Sequence, residues 1–74
     1  MQWNIAMRHI WTIHSYPGYF IWKCQVYNKN TDSPTTHECI RAYSMKDEII
    51  RDATRYGLDP ANPNHEIIHI EHPH

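Results

Sequence analysis

The sequence lacks most of the features that tie a short chain to a known activity. It contains two cysteines among 74 residues, too few for a disulfide-rich scaffold. No G-x-G-x-x-G loop, P-loop, nucleophile elbow or H-E-x-x-H motif occurs. No apolar run approaches the roughly 18–20 residues that a membrane span needs. The chain therefore carries no familiar nucleotide-binding, hydrolase, metalloprotease or transmembrane signature.

An excess of charge of either sign is also missing. Lys and Arg number 7 and Asp and Glu number 8, whereas broad nucleic-acid binding is typical of a basic chain. A single domain over residues 1–74 is expected, and one this small buries only about 60% of its unfolded surface. The first 14 residues mix Arg8 and His9 with apolar residues and contain no small-residue cleavage site. We therefore expect no signal peptide, a cytoplasmic location and reduced thiols.

Two hydrophobic periods are present instead. Apolar residues alternate over residues 3–14, which predicts a half-buried strand, and Tyr16–Tyr19 predicts a turn around Pro17 and Gly18. Residues 18–28 and 35–43 predict two further strands on either side of a polar loop at 28–34.

From Ser44 the period becomes helical. Ser44 is the predicted N-cap, with Asp47 completing a pattern similar to a capping box, and Gly57 is the predicted end. One helical face would carry Met45, Ile49, Ala53 and Tyr56. Residues 66–71 predict a last short strand, with Ile68 and Ile70 on one face. The fold class is α+β, an antiparallel sheet of three to four strands with one helix packed on one face, in the order β-β-β-α-β.

Two turns predict the strand registers independently. A hairpin about Pro17-Gly18 places Ile13 opposite Trp22 and Trp11 opposite Cys24. A hairpin about Thr31-Asp32 places Cys24 opposite Cys39 and Trp22 opposite Arg41. Both registers assign the same residues to one core face: Met7, His9, Trp11, Ile13, Phe20, Trp22, Cys24, Val26, Cys39 and Tyr43.

The other sheet face is less polar than a solvent-facing surface requires. A single helix covers one face of a sheet, so apolar residues on the second face indicate a binding surface. We expect apolar anchors with charged residues that set the register. The expected partner-binding residues are Arg8, Tyr19, Ile21, Lys23, Tyr27, Glu38 and Ile40.

Histidine is the compositional oddity, with 7 in 74 residues. Four lie in the last ten, at His65, His69, His72 and His74, but their spacing matches no zinc motif, so we expect no metal and no cofactor. Cys24 and Cys39 are interpreted as buried thiols, with a cross-strand disulfide or a contact with His9 or His37 as alternatives. The acids Asp47, Glu48, Asp52 and Asp59 fit a solvated helix face, so no catalytic residue is assigned.

Two stretches, Pro17-Gly18-Tyr19-Phe20 and Ser44-Met45-Lys46-Asp47-Glu48-Ile49, resemble small antitoxins with a partial ribonuclease-H-like fold. The resemblance implies an antitoxin-like binding module, and no functional residue carries over.

Taken with the residues themselves, the sequence predicts a non-enzymatic protein that binds another protein. It would be a steric inhibitor or adaptor of a larger enzyme or nucleoprotein machine, of the kind that phages encode. The alternatives are a homodimer joined through a sheet edge, and single-stranded nucleic-acid binding by Tyr19, Lys23, Tyr27 and Arg8.

Overall fold

A computed structural model describes residues 7–28 and 33–73 of the chain. The elements are β1 (Arg8–Tyr16), β2 (Tyr19–Tyr27), β3 (Thr35–Glu38), α1 (Lys46–Arg55) and β4 (His65–Glu71). They form a four-stranded sheet in the order β3-β2-β1-β4 with one helix, which confirms the predicted α+β class and element order. Three expectations lie outside the described residues: the start of the first strand at residues 3–6, the turn at Thr31-Asp32, and His74.

The first hairpin forms as its turn residues predict. Proline presets φ in the turn, and Gly18 adopts a φ of 89°, a conformation that side chains disfavour. The turn fixes the register, with Trp11 opposite Cys24 and Ile13 opposite Trp22. This half of the predicted core face is confirmed, because these four side chains are each no more than 2% exposed.

The prediction of an antiparallel sheet was wrong for β4, which pairs in parallel with β1. The reason lies in the direction of the chain. β3 runs the same way as β1, and the single helix α1 returns the chain to the end of the sheet at which β3 started. The strand that follows such a crossover must run parallel to β1. The sheet is therefore mixed, with β4 at the edge beside β1.

The second predicted register was wrong by two residues over β3. Cys24 lies opposite His37, and Cys39 donates its backbone N–H to the carbonyl of Trp22 at 3.1 Å. The predicted register returns only at the isolated bridge between Phe20 and Tyr43, so the third strand is shorter than residues 35–43. Residues 40–42 form a bulge opposite Ile21 alone. A shift of two residues keeps each side chain on its face, which is why Cys39 and Tyr43 still pack against the core.

Helix α1 begins one residue later than its sequence predicts. Met45, not Ser44, holds the N-cap position, and no side chain caps the helix. Paired backbone hydrogen bonds between Phe20 and Tyr43 hold the preceding chain in the sheet, which delays the start of the helix. Gly57 ends the element with a φ of 117°, as predicted. Within residues 7–28 and 33–73, no helix is long and apolar enough to cross a membrane.

The helix packs Ile49 and Ala53 onto the sheet with no exposed surface. Its predicted face was too long, because Met45 and Tyr56 at the two ends are both more than half exposed. Met7, expected in the core, is also half exposed. Leu58 and Ile67, which the hydrophobic period did not select, complete the core instead.

Asp52 is the largest departure from the predicted helix. The sequence placed it on a solvated face, but it is 6% exposed and accepts a hydrogen bond from Nε1 of Trp22 at 2.8 Å. A buried indole N–H requires an acceptor, and the carboxylate one turn after Ile49 provides it. The hydrogen bond therefore joins α1 to the middle of β2.

Candidate functional site

The sheet face away from α1 is uncovered by any described element. Alternate residues of β1 and β2 point to this face, and the observed register adds alternate residues of β4. Ile21 and Ile70 flank His14 on its two sides, and Ile68 lies beside Thr12. Apolar side chains thus run across three neighbouring strands.

One end of this face is apolar and aromatic. Tyr19, Ile68 and Ile70 are 41%, 37% and 39% exposed, although each belongs to a regular strand. An exposed apolar cluster that crosses several strands is typical of an interaction site. We call it the uncovered patch, and it consists of His14, Tyr16, Tyr19, Ile21, Ile68, Ile70 and His72.

Four rings stack in a column along the edge of the uncovered patch. The ring centroids of Tyr19 and Tyr16 are 5.0 Å apart, those of Tyr16 and His72 are 4.2 Å apart, and those of His72 and His14 are 5.0 Å apart. The backbone N–H of His72 donates to the carbonyl of Ser15 at 2.8 Å, which anchors the end of the column. Stacked rings lose little conformational freedom on binding, so this column is a pre-organised contact surface.

The two histidines of the column are hydrogen-bonded to each other. Nδ1 of His14 lies 2.8 Å from Nε2 of His72, which requires one of these nitrogens to carry a proton and the other to accept it. Burial, then the neighbouring charge of His72, then that of Lys23, lower the pKa of His14 below its ordinary value. The uncovered patch is therefore apolar at neutral pH and gains charge in mild acid.

The other end of the uncovered face is polar. Arg8 and Glu66 form an exposed ion pair at 3.1 Å, and Lys23 lies opposite Glu38. Tyr27, 38% exposed, donates from its hydroxyl to Oε1 of Gln25 at 3.2 Å. Of the expected binding residues, Tyr19 and Ile21 lie in the uncovered patch, whereas Arg8, Lys23, Tyr27 and Glu38 lie in this polar end.

Ile40 does not belong to the uncovered face. The bulge after β3 removes it from the sheet, where it is 84% exposed and lines a cavity on the helix side with Tyr43 and Tyr56. The sequence placed it on the uncovered face because it assumed one regular strand as far as Tyr43. The change of register between Cys39 and Tyr43 is the physical reason for this error.

A groove of about 420 Å³ opens on the helix side, between buried Trp11, Trp22 and Cys24 and exposed His37. Both expected partners of a reactive thiol are near it, since His37 lies directly opposite Cys24 and His9 also lines the groove. Burial, however, raises the pKa of the Cys24 thiol to about 11. A nucleophile needs the thiolate, so Cys24 is a core residue at neutral pH.

A second histidine pair lies beside that groove. The rings of His9 and His65 stack at 4.2 Å, and Nδ1 of His65 accepts hydrogen bonds from Nε1 of Trp11 at 3.2 Å and from the Asp59 amide at 3.3 Å. Burial first, and the neighbouring His65 second, lower the pKa of His9. In each stacked pair one histidine is on β1 and the other is on β4 or directly after it. The histidine-rich C-terminus thus fastens β4 to the sheet.

No set of three or more metal-binding side chains converges within residues 7–28 and 33–73. The C-terminal histidines are divided between the two faces, with His65 and His69 on the helix side and His72 on the uncovered side. Cys24 and Cys39 are free thiols, and their direct pairing was a wrong prediction because β3 is shifted.

The sequence missed the contribution of β4 to the uncovered face. It paired Ile68 with Ile70 on one face, as observed, but did not place β4 in the sheet, so the neighbours of these residues were unknown. The chain direction contained the missing signal, since one crossover helix after three meandering strands requires a parallel fourth strand. The chain matches no protein-family model, and neither a curated protein nor a solved structure shows significant similarity to it.

Proposed function

We propose that this protein acts by binding another protein through its uncovered sheet face, as a steric inhibitor or adaptor of a larger enzyme or nucleoprotein machine. One observation carries the proposal: Ile21, Ile68 and Ile70 and a column of four rings form a continuous exposed surface on regular strands. Rigid aromatic and aliphatic side chains surrounded by polar residues are the usual composition of an interface centre.

The polar end of the face supplies orientation. Charges of both signs alternate there, with Arg8 beside Glu66 and Lys23 beside Glu38. Such pairs add little affinity when exposed, but they discriminate between partners and set the docking register. The proposed mechanism requires no chemistry from the chain itself, because occupying the partner's surface is sufficient. We place this activity in the cytoplasm, where Cys24 and Cys39 stay reduced.

Nucleic acid fits the same face less well. Tyr19, Lys23 and Tyr27 offer stacking surfaces and one free cation, but Arg8 is engaged by Glu66, and Glu38 lies directly opposite Lys23. Carboxylates within the patch repel a phosphate backbone. If a single-stranded oligonucleotide bound with a steep salt dependence, this alternative would replace protein binding.

Affinity capture with matched variants tests the proposal. The immobilised full chain is exposed to native lysate beside a variant with Ile68→Thr and Ile70→Thr, which keeps β-branched residues on β4. Met45→Thr, which removes an exposed apolar side chain on the helix side, is the control. We expect one captured protein to be lost with the β4 variant and retained with the control. Equal capture by all three proteins would contradict the proposal, and a partner that is this same chain would identify a homodimer.

A further inference from the structure

A second surface, on the helix side, is built from arginines. Arg41, Tyr43, Asp52 and Arg55 line both of two adjoining cavities between the bulge and α1, of about 120 and 210 Å³. We call this the arginine groove. It is separate from the uncovered face, and nothing in the proposed function uses it.

The charges of the arginine groove are unbalanced. Arg51 and Glu48 join the smaller cavity, so three arginines face two carboxylates there. Among residues 7–28 and 33–73, the ion pairs consist of Arg8 with Glu66, so none of the three arginines is directly paired with either acid. A guanidinium presents several N–H groups in a fork that matches an oxyanion.

The carboxylate of Asp52 is occupied inside the protein. It is buried, it accepts the N–H of Trp22 at 2.8 Å, and its hydrogen bond with the Tyr43 hydroxyl raises the pKa of that tyrosine. The guanidinium of Arg41 lies over the Tyr43 ring, 5.1 Å from its centroid, which holds it beside the groove. Arginine donors therefore remain available to an oxyanion from outside.

Apolar side chains lie next to these donors. Ile40 and Tyr56 line the larger cavity and are 84% and 52% exposed. The bulge produces this arrangement, since it removes Ile40 and Arg41 together from the β-ladder and turns them toward α1. Bulges commonly redirect side chains beside functional sites.

We propose that the arginine groove binds a glutamate or aspartate side chain from an acidic segment of a partner protein, with an apolar neighbour of that acid between Ile40 and Tyr56. Charge complementarity selects a carboxylate, because three arginines against Glu48 and Asp52 leave one positive charge. A phosphate dianion would exceed that charge and lie beside two carboxylates. The adjacent apolar side chains select a peptide over a free small acid.

Fluorescence anisotropy with three labelled peptides tests this site on the full chain. The probes carry a central glutamate, glutamine or phosphoserine between leucines. We expect the glutamate peptide to bind about tenfold more tightly than the glutamine peptide, the difference of one charge-assisted hydrogen-bond pair. Equal binding of these two peptides would overturn the proposal. Tighter binding of the phosphoserine peptide would overturn the carboxylate assignment.

Two matched variants locate the binding. Arg55→Gln removes an arginine that lines both cavities, and Lys46→Gln removes the same charge from the first turn of the same helix, outside the groove. We expect Arg55→Gln to weaken the glutamate peptide about tenfold and Lys46→Gln to change it by less than about twofold. Equal losses would indicate unspecific attraction and overturn the site. A thermal melt checks that both variants are folded, and Ile40→Ser tests the apolar contact independently of charge. The uncovered-face proposal stands or falls separately, in the capture experiment.

Discussion

The two faces of the sheet have similar chemistry and different uses. On the helix side, Trp11, Ile13 and Trp22 are almost completely buried beneath α1. On the uncovered side, Tyr19, Ile68 and Ile70 keep more than a third of their surface exposed. Hydrophobic stabilisation depends on the area removed from water, so only the first set contributes fully to folding. The difference teaches that apolar composition alone does not identify a core, whereas the position of the single helix does.

The helix side is expected to give the largest loss of stability. Trp22→Ala removes a buried ring and the donor to Asp52, and large-to-small changes of this kind cost about 3–5 kcal/mol. Small domains are stable by only about 5–15 kcal/mol, so this variant should be mostly or entirely unfolded. Urea denaturation followed by circular dichroism measures the effect. A midpoint equal to that of the wild type would show that the covered face is not the core.

A smaller loss is expected at Asp52. Asp52→Ala leaves Nε1 of Trp22 without its acceptor in a buried site, which costs about 1–3 kcal/mol. Asp52→Asn retains an acceptor oxygen and should recover most of that loss. Glu48→Ala, at an exposed position of the same helix, is the control for helix effects. If Asp52 were solvated, as its sequence position first indicated, the two alanine variants would have similar unfolding midpoints.

The histidine pairs are expected to make stability depend on pH. The fold lowers the pKa of His9 and His14 below the ordinary value of 6.5, so the unfolded chain binds protons more readily. Stability is then complete above about pH 6.5 and falls as the pH drops below it. His14→Leu should reduce this dependence, and Thr12→Val, a neighbour that does not titrate, should preserve it. Thermal melts between pH 7.5 and 5 test this, and a melting temperature that rises toward acid would contradict the assigned direction.

The uncovered face is expected to give the smallest loss of stability. Tyr19→Thr and Ile68→Thr keep residues that favour strands and remove partly exposed side chains, so each should lower stability by less than about 1 kcal/mol. The same urea titration applies to both variants. A loss comparable to that of Trp22→Ala would show that the uncovered patch belongs to the core, which would remove the main argument for a binding face.

Much of the fold could be predicted because local rules determine it. The two-residue turn at Pro17-Gly18 fixed one register, and the helical period located Ile49 and Ala53 beneath the sheet. The longer connection before β3 did not fix a register, and a shift of two residues left the alternation of faces unchanged. Sequence alternation cannot detect such a shift, so the bulge and the position of Ile40 were not predictable.

The candidate site was predictable only in part for a related reason. Tyr19 and Ile21 follow from the alternation of β2, whereas Ile68, Ile70 and His72 join them only through long-range pairing of β4 with β1. Asp52 was missed because helical periodicity treats a carboxylate as solvated and contains no information about the facing Trp22. The histidines suggested a metal, but their pairing partners on β1 became visible only in three dimensions.

Photo-crosslinking from the uncovered patch tests the central claim most directly. The full chain carries p-benzoylphenylalanine at position 19, in the patch, or at position 47, in the exposed first turn of α1. We expect irradiation in native lysate to join one discrete protein to position 19 and not to position 47. Crosslinks of the same identity and yield from both positions, or none from position 19 above the position-47 background, would contradict the claim that this face binds a protein.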